Sequence, residues 1–426
     1  MNGETTATQA SLDLKESDLQ GSDHDQEPQD PTDREGEQAA SIADFLPRAG
    51  NGPLSGQIVV DFSRVLAGPY STMMLADLGA TVIKVEGPGG DDTRNWSPPV
   101  RDDDATYYLS INRNKFDIVL DFSDADDLEI AQKLAARADI VVENFKPGGL
   151  KKFGLDYDSV KDANAEVIYA SVTGFGAHNA LPGYDLLVQA MSGFMSVTGS
   201  PDGSPYRAGV AVFDVITGLH TTIGIMAAIQ HKNLTGEGQL VETNLMSSAM
   251  SGLANQSGAY AAAGVTPTRM GNAHPSLYPY QPMATKDGEL IVAAANDGQF
   301  AALAKALGRP DWAEDERFAK AKTRNANRDE LEPELLVALQ QHTAQEWFEK
   351  LTAVGLPCAP INSISQGVER ARDLGLDPIV ETGQGERIIP TIRNPIRLAK
   401  SEVSYDLAPP ELGADSDQVR AWIDSL

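Results

Sequence analysis

The chain has 426 residues, more than one simple core usually holds, so two domains are expected. Its formal net charge of −27 argues against nucleic acid or an anionic membrane as a partner, because phosphate groups are bound by clustered Lys and Arg. The single cysteine, Cys358, argues against an intramolecular disulfide framework and favours a cytoplasmic location. No apolar run of about 18 residues and no signal-peptide pattern occurs, so no membrane span is predicted.

Much of the negative charge lies in residues 1–50, which contain twelve acidic and three basic side chains. The segment is also rich in Gln, Ser and Pro and has no sustained hydrophobic period. We therefore predict a disordered acidic leader that acts as a solubilising tail, with a regulatory or docking role as the alternative.

Beyond the leader, strand and helix patterns alternate. Short apolar runs predict strands at 57–62, 80–86, 139–143 and 166–172. Helices are predicted at 67–79, with Pro69 in the first helical position, and at 126–137, with a further helical pattern before the last of these strands. Strands that alternate with helices form a parallel sheet with right-handed crossovers, so the predicted fold class is α/β.

One aspartate, Asp214, lies between an apolar run and a long helical pattern. Behind it, apolar residues recur at three- and four-residue spacings, a pattern that predicts one buried helix face. They are Val215, Leu219, Ile223, Met226 and Ile229. Asp214 is therefore predicted at or near a helix N-terminus, where free N–H groups and the helix dipole stabilise a carboxylate. It is either an N-cap or a nucleophile toward an activated acyl group. The helix is predicted to end at the turn 235–238, before a strand at 239–243.

The sequence changes in character after residue 271, where strands and helices no longer alternate. We divide the chain into a large domain at 51–250, a linker at 251–270, a smaller α+β domain at 271–375, and a C-terminal segment at 376–426 that returns to the large domain. In the smaller domain, a strand is predicted at 288–294 and helices around 297–306, 327–341 and 344–354.

Familiar cofactor and metal motifs are missing from the chain. Gly174 and Gly176 follow a predicted strand, but the third glycine of a dinucleotide fingerprint is absent. No GxxxxGK[ST] phosphate loop and no GxSxG elbow occurs, and the six histidines show no metal-ligand spacing. The sequence therefore predicts neither a metal nor a tightly bound cofactor.

Small, polar and aromatic residues are collected instead in short segments that we place at the carboxyl ends of strands, where open α/β sheets bind ligands. These segments are 64–69, 112–115, 143–148 and 183–185, with Asp214 beyond them. Together they offer exposed backbone, amide and cationic donors, an aromatic ring and a carboxylate.

The order of these segments resembles the class III CoA-transferases, the CaiB/BaiF family. The matching blocks are 61–62, 65–69, 77–86, 112–115, 142–148 and Asp214 with the glycine-bearing helix behind it. The resemblance runs from about residue 54 to the C-terminus. It implies a Rossmann-like large domain joined by long linkers to a small domain. It also implies two chains interlocked as a homodimer, with the active site at their interface.

The resemblance implies an enzyme that moves CoA from an acyl-CoA donor to a small carboxylic acid. In the family, the aspartate at the Asp214 position is the catalytic nucleophile, and the reaction passes through an aspartyl anhydride and an aspartyl–CoA thioester. The CoA thioester is then a substrate and not a tightly bound cofactor. Each tetrahedral oxyanion needs hydrogen-bond donors, and the backbone N–H groups near Leu66 and Ala67 are the candidates.

Other residues match positions that contact CoA or substrate in the family. By position these are Val65, Leu66, Ala67, Leu120, Asn144, Phe145, Lys152, Tyr184 and Asp185. Lys115 and Lys151 are expected to contact CoA phosphates, with a solvated surface charge as the alternative for each lysine. Leu66 stands where some members have Gln, so any hydrogen bond from that side chain is lost.

Residues 271–280 contain an HPxxxPY pattern that begins at His274 and ends at Tyr280. The pattern resembles members that act on succinyl-CoA and on dicarboxylic or aromatic acids. The proline that follows His274 favours an extended backbone, from which the imidazole can point into the cleft. We expect His274 and Tyr280 to shape the acyl pocket without making or breaking bonds. A structural loop histidine is the alternative.

Two other functions are weighed against CoA transfer. An α-methylacyl-CoA racemase of the same superfamily carries a catalytic His in a GHD motif, whereas residues 183–185 here read Gly-Tyr-Asp, which favours transfer. A catalytically inactive CoA-binding or scaffold protein is the second alternative, and the complete set of segments around Asp214 argues against it. Succinyl-CoA is the first donor to test, and the acceptor acid is open.

Overall fold

The computed structural model describes residues 50–425. The strands, numbered in chain order, are β1 (Ile58–Asp61), β2 (Thr81–Glu86), β3 (Val100–Arg101), β4 (Asp104–Ala105), β5 (Lys115–Val119), β6 (Ile140–Glu143), β7 (Ile168–Thr173), β8 (Gln239–Asn244), β9 (Tyr280–Ala284), β10 (Glu289–Ala293), β11 (Cys358–Pro360), β12 (Ile379–Thr382) and β13 (Ile389–Ile392). The α-helices are α1 (Ala67–Asp77), α2 (Thr106–Leu109), α3 (Ala125–Arg137), α4 (Tyr157–Ala163), α5 (Asp185–Met191), α6 (Phe194–Val197), α7 (Val212–Thr235), α8 (Leu245–Gly252), α9 (Asn255–Ala263), α10 (Asp297–Ala306), α11 (Ala321–Ala326), α12 (Arg328–Leu339), α13 (Ala344–Ala353), α14 (Ile364–Asp373) and α15 (Ser416–Asp424). The predicted acidic leader lies outside the described residues, apart from residue 50.

The main sheet has the strand order β5-β2-β1-β6-β7-β8, and every neighbouring pair is parallel. The predicted α/β class and parallel sheet are confirmed. Val59 of β1 pairs with Val82 of β2 and with Ile140 of β6, so β1 lies inside the sheet. From β1 the chain builds outward to β5, then returns to β6 and builds outward to β8. The neighbours β1 and β6 therefore form the topological switch point, where open α/β sheets bind ligands.

Helices cover both faces of this sheet. On one face, Leu75 of α1 and Ile225 of α7 share a buried cluster with Val82. On the other face, Leu134 of α3 and Trp422 of α15 share a cluster with apolar strand residues. Because both faces are covered, the central strands β1 and β6 read in the sequence as short apolar runs. The C-terminal helix α15 packs against α3 and β5.

A second hydrophobic cluster lies between residues 278 and 356. There β11, β10 and β9 form an antiparallel sheet in that order. Leu290 of β10, Phe300 of α10, Leu335 of α12 and Trp347 of α13 are all buried in this cluster. α10 coincides with the helix predicted at 297–306, because Asn296 and Gln299 form a capping box at its start.

Two features of the chain differ from the sequence-based assignment. β5 was not predicted, because its alternation of charged and apolar residues does not read as a buried strand. Segment 112–115 therefore leads into β5 and lies at the amino end of a strand, not at the carboxyl end as expected. The stretch 251–270, expected as a linker, contains the helix α9.

The buried face of α7 is not the predicted one. Leu219, Ile223 and Met226 are exposed, and Ile223 is 65% exposed. The buried residues are Phe213, Thr217, Gly218, Thr221, Thr222, Ile225 and Ala228. Small side chains lie on this face because α1 approaches closely: a Cβ added to Gly218 would lie 2.7 Å from the carbonyl oxygen of Ala67. Hydrophobic periodicity alone therefore indicated the wrong face.

Among residues 50–425, α7 is the one helix that is long and apolar enough to cross a membrane, with a mean hydropathy of 1.6 over 18 residues. It contacts α1, α8, β7 and β8. The hydroxyls of Thr217, Thr221 and Thr222 each donate to the carbonyl oxygen four residues earlier, so the polar groups on its packed face are satisfied. One face of α7 is therefore packed within the α/β domain, and Leu219, Ile223 and Met226 stay exposed.

Candidate active site

Two loops meet at the switch point between β1 and β6. The Asn144 side chain joins them: its Oδ1 accepts from the Arg64 N–H at 2.9 Å, and its Nδ2 donates to the Arg64 carbonyl oxygen at 2.7 Å. The Arg64 guanidinium carbon lies 5.9 Å from the centroid of the Phe145 ring. An exposed cation and an aromatic ring therefore stand at the carboxyl ends of the two central strands.

The loop after β1 leads directly into α1, which begins at Ala67. Pro69 is thus the third residue of the helix and not the first. Val65 has a φ of 70°, a left-handed conformation that is rare for a β-branched residue. Within the described part of the chain, the backbone N–H groups of Leu66, Ala67 and Gly68 donate no hydrogen bond. Free N–H groups at a helix start bind anionic oxygen.

Asp214 is the third residue of α7, and its side chain does not cap the helix. Asp185 provides the cap: its Oδ1 accepts from the N–H groups of Phe213 at 2.8 Å and Asp214 at 3.3 Å. Gln189 in turn donates to the other Asp185 oxygen. The predicted N-cap role of Asp214 is therefore wrong, because a residue of another helix fills it. The half-buried Asp214 carboxylate accepts no hydrogen bond from residues 50–425.

The surroundings of Asp214 disfavour its charge. Burial, and then the negative charge of Asp185, raise the pKa of Asp214 to about 7. A basic carboxylate is a better nucleophile than one of ordinary pKa, and near neutral pH a large fraction of Asp214 is still ionised. The arrangement therefore offers an unbonded carboxylate of raised basicity.

α1 and α7 touch one helical turn beyond Asp214. A Cβ added to Gly218 would lie 2.7 Å from the Ala67 carbonyl oxygen and 3.3 Å from the Tyr70 side chain. Ala67 also shares a buried cluster with Phe213, the residue that precedes Asp214. The start of α1, with its free N–H groups, therefore lies beside the first turn of α7.

Lys115 and Leu120 lie in the interior, contrary to the expectation that they contact CoA. The Lys115 ammonium is fully buried and donates to Asp61, to the Pro69 carbonyl oxygen and to Asn112. Burial lowers the pKa of Lys115 to about 8, and the charge of Asp61 opposes that shift. Leu120 is 1% exposed and belongs to the cluster between the sheet and α3. A phosphate outside the protein cannot reach either side chain in this structure.

Lys151 and Lys152 lie on a short 3-10 helix that follows the β6 loop, and both are exposed. The Lys152 ammonium is 4.4 Å from the centroid of the Phe153 ring. Tyr184, just before α5, is 63% exposed. These side chains are accessible to a ligand, and the role of each in binding stays a prediction.

His274 and Tyr280 contact each other, with ring centroids 5.3 Å apart in an edge-to-face arrangement. The His274 Nδ1 accepts from the Ser276 N–H at 3.0 Å, and its carbonyl oxygen accepts from Arg328 at 3.0 Å. Within residues 50–425, no hydrogen bond or ring contact joins His274 or Tyr280 to Asp214. Their expected role in the acyl pocket stays a prediction.

Sequence reasoning missed Tyr107 and Trp96. Burial, and then the charges of Asp214 and Asp185, raise the pKa of Tyr107 to about 12, so its phenol lies within electrostatic reach of both carboxylates. The Trp96 ring packs edge-to-face on Tyr107, with centroids 5.1 Å apart, and is 43% exposed. Neither residue lies in a recognisable local motif, because only the tertiary fold brings Tyr107 within reach of Asp214 and packs Trp96 on Tyr107.

Comparisons with known proteins identify the family of this chain. The model of CoA-transferase family III matches residues 54–416. The succinate–glutarate CoA-transferase of Agrobacterium fabrum is 42% identical over 388 residues, which cover 88% of this chain and 96% of that protein. The succinyl-CoA:mesaconate CoA-transferase of Haloarcula hispanica is 41% identical over 295 residues, 67% of this chain and 74% of that protein. A crystal structure of a CaiB/BaiF family protein from Brucella suis matches with a TM-score of 0.79 at 41% identity and covers 88% of this chain and 100% of that one. The chain therefore belongs to CoA-transferase family III.

Proposed function

We propose that the protein moves CoA from an acyl-CoA, with succinyl-CoA as the first donor, to a dicarboxylic acid, and that Asp214 is the nucleophile. One observation carries the proposal: an unbonded, half-buried carboxylate of raised pKa lies beside free N–H groups at the start of α1. The curated relatives described above are named for succinate, glutarate and mesaconate, which supports dicarboxylic substrates.

The chemistry exchanges one acyl bond at a time. The Asp214 carboxylate attacks the thioester carbonyl, the C–S bond breaks, and CoA thiolate leaves a mixed anhydride. The thiolate attacks the Asp214 carbonyl, which releases the donor acid and leaves an aspartyl–CoA thioester. The acceptor carboxylate then attacks this thioester, the C–S bond breaks, and CoA thiolate leaves a second anhydride. The thiolate returns to attack the acceptor's carbonyl in this anhydride. New acyl-CoA leaves and the Asp214 carboxylate is restored.

Each attack creates a tetrahedral oxyanion. The N–H groups of Leu66 and Ala67 are proposed to stabilise it, since they have no acceptor within residues 50–425 and lie beside the first turn of α7. Backbone donors suit a chain with Leu66 at this position, because a leucine side chain donates no hydrogen bond.

The CoA moiety is proposed to lie across the switch point. Half-buried Val65 and Phe145 provide apolar surface there, and Asn144 fixes the loop through its two bonds to Arg64. Exposed Lys151 and Lys152, together with Arg64, are the cations proposed for the phosphates. Lys115 is replaced in this role because it is buried.

Two chains are proposed to associate as an interlocked homodimer. The exposed apolar side chains Leu219, Ile223 and Met226 form a stripe along α7, on the face opposite the sheet. Tyr260 of α9, in the expected linker, is 65% exposed. A second copy of the chain is the occupant that the family resemblance implies for these surfaces, and a contiguous apolar stripe of this kind marks an interaction site.

The proposal is tested by incubating the full chain with succinyl-CoA and a mixture of mono- and dicarboxylic acids that includes oxalate, and reading new thioesters by mass spectrometry. We expect new dicarboxylic acyl-CoA products. Asp214→Ala should lose at least about a thousandfold in turnover, because nucleophile removal usually costs that much, while CoA affinity persists.

Asp202→Ala is the matched control, because Asp202 is an exposed carboxylate in the loop that precedes α7. It should transfer CoA at the wild-type rate. If Asp214→Ala kept more than about a thousandth of the wild-type turnover, the proposal would be wrong. Exchange of the α-hydrogen of a 2-methylacyl-CoA in D2O, without any new thioester, would identify a racemase instead.

A further inference from the structure

Two lysines lie fully buried beneath the loop that joins β1 to α1. Lys84 of β2 and Lys115 of β5 have no exposed side-chain surface. Removing an ammonium group from water is strongly unfavourable unless it is paired. Here each is paired with a buried carboxylate: the nitrogen–oxygen distance is 3.0 Å from Lys84 to Asp91 and 3.1 Å from Lys115 to Asp61.

Each ammonium also holds one end of the loop at residues 63–69. Lys84 Nζ donates to the Ser63 carbonyl oxygen at 3.0 Å. Lys115 Nζ donates to the Pro69 carbonyl oxygen at 3.0 Å. Groups from two strands therefore fix the first and last residues of the loop.

The paired carboxylates hold the first half of the same loop. Asp91 accepts from the Val65 N–H at 3.2 Å, and Asp61 accepts from the Ser63 N–H at 2.9 Å. The φ of 70° at Val65 is unfavourable for a β-branched L-residue, and the bond from its N–H to Asp91 helps to hold this conformation in place. With the Arg64 N–H bound by Asn144, every N–H group from Ser63 to Val65 has an acceptor, and those of Leu66, Ala67 and Gly68 are left free beside α7.

We propose that Lys84 and Lys115, with Asp91 and Asp61, are positioning residues for acyl transfer. Their ion network fixes residues 63–69 so that the N–H groups of Leu66 and Ala67 donate hydrogen bonds to the oxyanion. This inference rests on the proposed role of Asp214. Replacing a buried ion pair by apolar residues is often neutral for stability, which favours a geometric role for the network.

The test removes one pair without leaving a lone buried charge, in the double variant Lys115→Met with Asp61→Asn. We expect kcat to fall about 100-fold, the usual loss when an oxyanion donor is removed. The KM for acyl-CoA should change less than about threefold, because ground-state binding is retained. With 13C-labelled aspartate, the infrared carbonyl stretch of the aspartyl–CoA thioester should move to higher frequency, since the donors no longer reach the carbonyl. A purely structural role would not move this frequency.

Arg113→Met with Asp77→Asn is the matched control. That salt bridge is also buried, with a nitrogen–oxygen distance of 2.6 Å, and makes no hydrogen bond to residues 63–69. It should lower the melting temperature and keep the wild-type kcat and carbonyl stretch.

The positioning role is wrong if Lys115→Met with Asp61→Asn keeps both the wild-type kcat and the wild-type stretch. If that double variant does not fold, kcat and the carbonyl stretch are measured instead in the isosteric single variant Asp61→Asn. Failure of the proposed function gives a different pattern: Asp214→Ala keeps its turnover, and no aspartyl–CoA band forms in the wild type.

Discussion

At the scale of single residues, two aspartates divide tasks that the sequence assigned to one. Asp185 caps α7 through the N–H groups of Phe213 and Asp214, which leaves the Asp214 carboxylate unbonded within the described residues. The same Asp185 charge adds to burial in raising the pKa of Asp214 to about 7. A cap supplied from α5 therefore both orders the helix start and makes the proposed nucleophile more basic.

This arrangement has a pH signature. Asp214 must be ionised to attack, so kcat/KM should rise with pH through about 7. In Asp185→Asn the neighbouring negative charge is gone, the pKa of Asp214 should fall, and the rising limb should move to lower pH. Asp202→Asn, an exposed carboxylate in the loop before α7, should leave the limb in place. If the rise of kcat/KM with pH stayed at the wild-type pH in Asp185→Asn, a group other than Asp214 would control it.

His274 gives a second prediction at this scale. If its imidazole meets the far carboxylate of a dicarboxylic acid, His274→Ala should raise the KM for dicarboxylic acceptors about tenfold or more and change kcat little. Acceptors with one carboxyl group serve as the internal control and should be unaffected. Loss of turnover at saturating substrate, with the oligomer intact, would make His274 a catalytic acid or base and contradict the assignment.

At the scale of elements, the contact between α1 and α7 joins the free N–H groups to the proposed nucleophile. Gly218 permits it, because a Cβ there would lie 2.7 Å from the Ala67 backbone carbonyl. The backbone of α1 would have to move to accept any side chain at this position. The contact therefore sets the distance between the proposed oxyanion donors and the first turn of α7.

Gly218→Ala should lower the free energy of unfolding by about 2 kcal/mol, as overpacking does, and should reduce kcat by at least about tenfold. Gly367→Ala in α14 is the matched control, since a Cβ there meets no atom within 4 Å and that residue is exposed. It should raise stability slightly, because alanine favours a helix by up to about 1 kcal/mol. Thermal unfolding and steady-state rates measure both effects. If Gly218→Ala kept the wild-type kcat, the distance between α1 and α7 would not affect catalysis.

The sequence predicted these elements well wherever a local pattern decided them. β1, β2, β6 and β7 are mainly apolar segments, and α7 ends where Gly236 adopts a φ of 77°. Partners distant in the sequence decided the rest. Lys115 reads as a surface lysine until Asp61, 54 residues earlier, pairs with it. The cap of α7 comes from Asp185, 28 residues before Phe213, and no local motif announces it.

At the scale of the whole molecule, three of the five α7 residues that periodicity predicted to be buried, Leu219, Ile223 and Met226, are exposed in the single chain. A hydrophobic stripe at helical spacing predicts that one helix face is buried. It does not predict whether residues of the same chain or of another chain bury that face. Here the small residues of the opposite face pack on α1 and the sheet. The stripe is therefore left for the proposed partner copy.

Ile223→Asp should weaken self-association at least about 30-fold, because burying an unpaired carboxylate costs several kcal/mol. Val337→Asp on α12, where the side chain is 73% exposed, is the matched control and should leave association unchanged. Sedimentation velocity over a range of protein concentrations measures self-association of both variants. A wild-type protein that is monomeric and fully active would contradict the interlocked dimer.

The central claim is that Asp214 forms covalent bonds to the acyl group and then to CoA. It is tested most directly by incubating the enzyme with succinyl-CoA, adding hydroxylamine, and mapping the modified peptide by mass spectrometry. We expect the hydroxamate on Asp214 and on no other residue. Modification of Cys358, or of no residue while turnover continues, would contradict the account.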